Sequence, residues 1–354
     1  MTGKVIQNIG LRAAWLFFIC CQFIYSQVLY IRSGQYNRFF EVTSMYGLTF
    51  SCALKIWMFL NYRKEMIALH KFSIKITRLA GSHLAEKLAT QQFYIVKLCK
   101  IFAVIGLLGE LLYIYQPVAE LITTRKLVPL MPIEMMFLDP TKVLDFVIFN
   151  SVLVVVGVWC PFYLFAVNFN FTTAILNCKI QVIIIEDDIQ RLDAFWREPQ
   201  TTTVVERHML LKNICQKCQD KNRYVDVIKN MFDRPLFWYF CVAYTSQIIC
   251  LYEIEVESWM PGYGIACGSF TEMMIYCFIG TKLFQINEQL CCVLTQSKWY
   301  TWDVFSQKMF LNLLNSSMNL KELWIGPLAP LSVVSLIQMV KSIYTYYTFL
   351  SEAL

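Results

Sequence analysis

Seven apolar runs punctuate the chain, at about 11–31, 42–60, 93–115, 143–168, 235–254, 262–284 and 331–352. Each approaches the roughly 20 residues that a helix needs to cross a bilayer. The pattern predicts an all-α integral membrane protein with seven transmembrane helices. No Ser/Gly linker, repeat or low-complexity block divides residues 1–354, which therefore read as a single domain. The first run follows Lys4 and Arg12 as a signal peptide's core would, but it is about 20 residues long and no small-residue cleavage site follows, so it reads as a retained span.

The last run differs from the others because its polar residues share a face. At about 100° per residue, Ser335, Gln338, Lys341, Ser342, Thr345, Thr348 and Glu352 fall within roughly 140°, with Phe349 and Ala353 in the same sector. Met339, Val340, Ile343, Tyr347 and Leu350 lie opposite. A charge near the bilayer centre costs about 2.5–3.5 kcal/mol, so Lys341 and its neighbours should face protein or water. Periodicity alone fits either a helix buried against other helices or one lining a water-filled path.

Composition agrees with the spans: 57 % of residues are hydrophobic and 16 % charged, beyond the roughly 45–50 % apolar content of soluble domains. Charge then orients them. In or bordering the segments on the N-terminal side lie 23 of the 31 Lys and Arg, against five on the other side: Arg32, Arg38, Arg125, Lys126 and Lys142. The positive-inside rule predicts a cytoplasmic N-terminus and an extracellular C-terminus, the inverse of a G-protein-coupled receptor. Arg12 and Lys55, toward the inner ends of their spans, are expected to snorkel to the interface.

The connecting segments carry further signals. Met66, Leu69, Phe72, Ile76 and Ala80 follow helical spacing with Lys71, Lys75 and Arg78 between them, as in an amphipathic extension of the second span or a helix lying on the anionic inner leaflet. From Lys179 to Arg234, ten basic and nine acidic residues alternate with apolar ones, which predicts helical extensions packed together and a candidate assembly surface. None of the 14 Cys falls in the outer loops, so no disulfide closes them. Cys215-Gln-Lys-Cys218 lacks a second ligand pair at zinc spacing, and the sequons at Asn170 and Asn315 fall at the membrane and in a cytoplasmic loop, where they should stay unmodified.

Enzymatic chemistry finds no footing. His70, His83 and His208 stand at neither metal nor triad spacing, and P-loop, HExxH and GxSxG patterns are absent. No cofactor and no nucleic acid is expected. The outer ends of spans 2, 3, 4 and 6 instead carry aromatic, Met and aliphatic residues: Met45 and Tyr46; Leu108, Leu112 and Tyr115; Phe146, Phe149 and Asn150; Phe270 and Met274. Such a lining suits either a small, mostly apolar ligand or ordinary helix packing. Gly264-Ile-Ala-Cys-Gly268 adds a small-xxx-small pattern that fits close helix approach or room for a ligand.

From the fifth run onward the sequence resembles the insect odorant receptor family. The matching pieces fall in family order: Tyr276-Cys-Phe-Ile-Gly280, Ser297-Lys-Trp-Tyr300, Leu311 to Leu314 before Gly326, Pro330-Leu-Ser332, and the Tyr-rich Ile343 to Leu350. Gustatory receptors share the fold, but their terminal TY-x5-QF pattern is missing after Thr345-Tyr346. The resemblance implies a tuning subunit of an odorant-gated, non-selective cation channel, forming a heterotetramer with the odorant receptor co-receptor in the plasma membrane of a sensory neuron. It implies an odorant pocket in the outer leaflet between helices 2, 3, 4 and 6. It also implies a pore lined by the terminal helix, with pore positions on Phe349, Glu352 and Ala353, and Thr345 on the same stripe. Other readings are a gustatory-type channel, a seven-span receptor signalling through a cytoplasmic partner, and a transporter, though the broken helix pair of many transporters is lacking.

Overall fold

A computed structural model describes residues 18, 20–79, 82–124, 133–134, 142–198, 200 and 203–353. Arg12 and Ala80 lie outside this set. In its described part, each of the seven apolar runs falls in a separate helix, apart from Leu331 and Ser332 just before the last: α1 (20–33), α2 (Tyr36–Asn61), α4 (Ala85–Thr124), α5 (Val143–Arg197), α6 (Val204–Glu257), α7 (Met260–Gln296) and α9 (Val333–Ala353). Two shorter helices join them, α3 (Arg63–Leu79) after α2 and α8 (Val304–Met318) after α7. A two-residue antiparallel hairpin, β1 (Trp324–Ile325) and β2 (Ala329–Pro330), leads into α9.

Helix length carries an architectural argument. At 1.5 Å per residue, the 55 residues of α5 and 54 of α6 each extend about 80 Å, far beyond a hydrocarbon core of about 30 Å, whereas the 21 residues of α9 match that thickness. The segment between Lys179 and Arg234 therefore continues the bundle as helix, as its apolar spacing predicts. A capping box starts α6: the Glu206 amide donates to Thr203 Oγ1 (3.3 Å) and the Thr203 amide to Glu206 Oε2 (2.8 Å). The helix then runs through Pro235.

The long helices alternate in direction and define two ends. The base holds α3, α8 and the α5–α6 turn. The head holds the α1–α2 turn, the α6–α7 turn and the last residues of α9. Helix α6 packs against α2, α5, α7 and α9, while α4 lies on α7 and α5. One continuous core fills the base and the middle of the bundle, where Phe171, Ile175, Ile228, Phe232, Cys277 and Leu283 are fully enclosed.

Polar ties reinforce that core. Lys221 Nζ donates to Asn287 Oδ1 (2.5 Å), Asn287 Nδ2 donates to the Lys321 carbonyl (2.8 Å), and Lys321 pairs with Asp226. Burial holds the Lys221 ammonium below its ordinary pKa. The Ser297-Lys-Trp-Tyr300 element forms the turn from α7 to α8, with the Lys298 amide donating to Asp193 (3.2 Å) and Trp302 stacked on Trp196 (6.3 Å). Asp303 caps α8 by accepting from the Phe305 and Ser306 amides.

Two glycines position the start of α9. Gly326 occupies the left-handed region at φ 53° in the hairpin turn, and a Cβ there would sit 2.5 Å from Phe237. Gly280 ends Tyr276-Cys-Phe-Ile-Gly280 and lies against the entrance to α9, where a Cβ would fall 2.1 Å from the Leu331 carbonyl oxygen. One residue on, Thr281 Oγ1 accepts from the Val333 amide (3.0 Å).

Candidate functional site

At the head, a second and smaller apolar cluster draws Phe23 and Tyr30 from α1, Val42 and Met45 from α2, Phe149 and Leu153 from α5, Cys250 from α6, and Ile265 from α7, with Ile133 and Trp259 closing it. Tyr46 packs on this cluster with its ring 5.4 Å from Phe23, and its hydroxyl donates to Gln27 Oε1 (3.1 Å). Gln27 Nε2 donates to Thr43 Oγ1 (2.9 Å), which ties α1 to α2 beside the ring.

Of the residues expected to line a pocket, the fold thus gathers Met45, Tyr46 and Phe149. Phe146 and Asn150 are half-buried on the same helix, with Asn150 Nδ2 donating to the Phe146 carbonyl (2.9 Å). Leu108, Tyr115, Phe270 and Met274 are exposed rather than packed into the cluster. The Leu112 side chain lies outside what the structure describes. Trp259, Cys250 and Ile265 join the head cluster without having been singled out by sequence.

Toward the base, about 15 Å farther along α2 from Met45, lies a polar knot whose principal members the sequence reading misread or passed over. Lys55 is 1 % exposed and ion-paired with Glu272 of α7, so it does not snorkel to an interface. A partner within the bundle replaces the reach to water. Asn168 Nδ2 donates to Glu272 Oε1 (3.1 Å), Tyr276 OH donates to Asn168 Oδ1 (2.6 Å), and Ser51 Oγ approaches Glu272 Oε2 at 3.4 Å. The Lys55 ammonium also lies 5.4 Å from the Tyr239 ring centroid and 5.8 Å from that of Tyr276.

The knot explains the exposure of its neighbours. Residues two apart on a helix point roughly 200° apart, so turning Glu272 toward Lys55 turns Phe270 and Met274 to the other side of α7. The carboxylate thereby separates an inward polar face, shared with α2 and α5, from an outward apolar one. A single acid at position 272 was visible in the sequence, but its cation stands on another helix more than 200 positions earlier.

Helix α9 divides its polar stripe. Ser335 is buried, with Oγ donating to the Pro330 carbonyl (2.7 Å), and Ser342 Oγ is hydrogen-bonded to Tyr244 OH of α6 (2.6 Å). Leu336 and Ile343 are buried, and α9 packs on α6 and α7. Gln338, Lys341, Thr345, Phe349 and Glu352 remain exposed on the outward side, Phe349 at 70 %. Thr348 is half-buried, and the Ala353 side chain lies outside the described set.

An all-helical bundle tied together at the base, with long apolar helices, a small head cluster and one open amphipathic helix, defines a class of multi-pass helical membrane proteins. Over residues 35–344 the sequence matches the family model described as 7tm odorant receptor, and the chain belongs to that family. Its fold is similar to the insect olfactory receptor OR5 from Machilis hrabei in complex with eugenol. The TM-score is 0.78 at 13 % identity, covering 100 % of this chain and 91 % of that one. A second structure of OR5 from Machilis hrabei gives 0.76 at 12 % identity, covering 96 % and 87 %. No curated protein sequence matches the chain. Family membership makes this chain an odorant receptor and a membrane protein, not an enzyme.

Proposed function

We propose that this chain is the odorant-binding, tuning subunit of a ligand-gated, non-selective cation channel that it forms with the odorant receptor co-receptor as a heterotetramer in the plasma membrane of sensory neurons. The seven apolar runs within these helices are its spans, with the N-terminus in the cytoplasm and the C-terminus outside. The observation that carries this reading is α9: its apolar side packs on α6 and α7 while Thr345, Phe349 and Glu352 stay open. A helix partnered on one side, with an open side that carries Gln338, Lys341, Thr345 and Glu352 beside exposed Val334, Ile337 and Phe349, suits a conduit wall whose apolar flanks meet neighbouring subunits. Glu352 contributes a carboxylate at the outer mouth that favours cations.

The odorant site is proposed at the head, lined by Met45, Tyr46, Phe146, Phe149 and Asn150, and extending to Leu108, Leu112 and Tyr115 of α4 and to the outward-turned Phe270 and Met274 of α7, on which α4 lies. Apolar walls with a few polar groups suit a small volatile molecule. Eugenol, present in the OR5 structure, is a rational first member of a test panel. Odorant occupancy shifts the balance between closed and open arrangements only through unequal affinity for the two, and the head cluster joins α2, α5, α6 and α7 closely enough to supply that difference.

The test is current recorded from cells expressing the chain with and without the co-receptor, under an odorant panel and with G-protein signalling blocked. The expected result is odorant-evoked cation current that requires the co-receptor and survives the block. Current abolished by the block supports signalling through a cytoplasmic partner instead, and saturable uptake without current supports a transporter.

A further inference from the structure

The strongest concentration of unpaired charge outside the proposed odorant and pore sites is on α3. At about 100° per residue, Arg63, Lys64, Lys71, Lys75 and Arg78 fall within a sector of roughly 120°. The helix's one acid, Glu65, lies roughly opposite the centre of that sector. All five cations are exposed, and among the described residues none of them forms an ion pair. Ile67 and Ile74 lie in the middle of the same sector and are also exposed, at 45 % and 38 %.

The rest of the helix is fixed. Met66, Leu69 and Ser73 are buried, Phe72 stacks on Tyr224 of α6 at 5.6 Å, and Ile76 packs on the main core. Rotation that would hide the two isoleucines would expose this inner face. An open recess of about 380 Å³ is lined by Lys71, Ile74, Lys75 and Arg78. Apolar side chains flanked by cations on one exposed stripe match the boundary of an anionic bilayer leaflet, where acyl carbon and phosphate lie side by side.

We propose that the outward face of α3 is a binding site for anionic phospholipid, with Lys71, Lys75 and Arg78 holding a phosphorylated headgroup and Ile67 and Ile74 meeting the acyl chains. The lipid belongs to the cytoplasmic leaflet, which rests on the orientation proposed above. Binding supports the position of α2, because α3 follows it after a single bend at Tyr62.

The test uses the full-length chain purified in neutral detergent and a fluorescent phosphatidylinositol 4,5-bisphosphate, read by anisotropy with no odorant, co-receptor or current. This readout stays interpretable whether or not the chain conducts. Replacing Lys71, Lys75 and Arg78 by alanine is expected to weaken binding on the order of 100-fold, and raised salt to weaken it in the wild type. Arginine at 71 and 75 should preserve binding. Ile67→Gln with Ile74→Gln should weaken lipid binding while leaving soluble inositol trisphosphate unaffected. The proposal is overturned if the alanine variant binds like wild type, or if phosphatidylcholine binds as well as the anionic lipid. It is equally overturned if inositol trisphosphate binds as tightly as the lipid and the isoleucine changes have no effect, since the site would then hold a soluble phosphate.

Discussion

The base and the head solve the packing problem differently. At the base, long helices interlock around one continuous core with buried ties such as Lys221–Asn287, and short elements seal the end. At the head, a few side chains from α1, α2, α5, α6 and α7 meet in a small cluster, while apolar residues such as Leu108, Tyr115, Phe270 and Met274 remain open. Close-packed interiors resist deformation, and each missing contact weakens that resistance. The base is therefore the frame, and the head is where the proposed odorant site lies. The Lys55–Glu272 knot sits where one gives way to the other.

Breaking that junction should have the largest effect. Glu272→Ala leaves the Lys55 ammonium enclosed without its carboxylate, a change that costs about 3–5 kcal/mol in buried pairs. The expected outcome is a large fall in thermal stability in detergent, read by the loss of monodisperse receptor after heating. Lys55→Met combined with Glu272→Leu should recover most of that loss, because apolar replacement of both partners removes the desolvation cost along with the attraction. If the double variant is as unstable as the single one, the knot's role is packing rather than charge.

The entrance to α9 comes next. Gly280→Ala places a methyl group against the Leu331 carbonyl and forces α7 and the α9 entrance apart, with overpacking of this kind costing about 1–3 kcal/mol. Because α9 is the proposed pore helix, the same change should alter basal current more than odorant affinity. Co-expression recordings distinguish the two: a shift in half-maximal odorant concentration with unchanged basal current would place Gly280 with the head instead of the frame.

Much of the frame was legible in the sequence, and the reason is period. Apolar runs fixed the long helices, helical spacing from Met66 to Ile76 fixed α3, and mixed charge at helical intervals marked Lys179–Arg234 as packed helix. Properties that depend on a distant partner were not legible. Lys55 read as a snorkelling cation because Glu272 is remote in sequence, and the stripe on α9 read as one face because nothing local marks Ser342 for Tyr244. The outward turn of Phe270 and Met274 follows from their spacing to Glu272, but only once the direction of Glu272 is known.

At the base, Asp303 joins a cap to a surface pair, accepting from two α8 amides and lying 3.3 Å from His208 Nε2. Burial alone would raise its pKa, but hydrogen bonds from Ser306 and His208 outweigh it and hold the carboxyl below its ordinary value. A carboxylate whose folded pKa is lowered stabilises the fold above the unfolded pKa, and that stabilisation is lost as pH falls through the folded value. Asp303→Ala should cost about 1 kcal/mol through the lost cap. In melts taken across the acid range, the gap between wild type and variant should be constant near neutrality and close as pH drops below the ordinary Asp range. A gap that persists undiminished at the acid end would remove the ionised cap from the account.

The smallest expected change in stability is the one that speaks most directly to function. Tyr46→Phe removes a half-buried hydroxyl from Gln27 Oε1 while Gln27 keeps its Nε2 bond to Thr43, a loss of about 0.5–1.5 kcal/mol. At the base, a change of that size should be silent in any odorant assay. At the head, the hydroxyl lies beside the cluster proposed to hold the odorant, and its loss removes a polar group from an otherwise apolar wall. Half-maximal odorant concentrations should therefore shift unequally across a panel, with hydrogen-bonding odorants weakened relative to hydrocarbons of the same size. A uniform shift across the panel would mean that Tyr46 braces α1 against α2 without meeting the ligand, and the proposed site would then contract toward Met45 and Phe149.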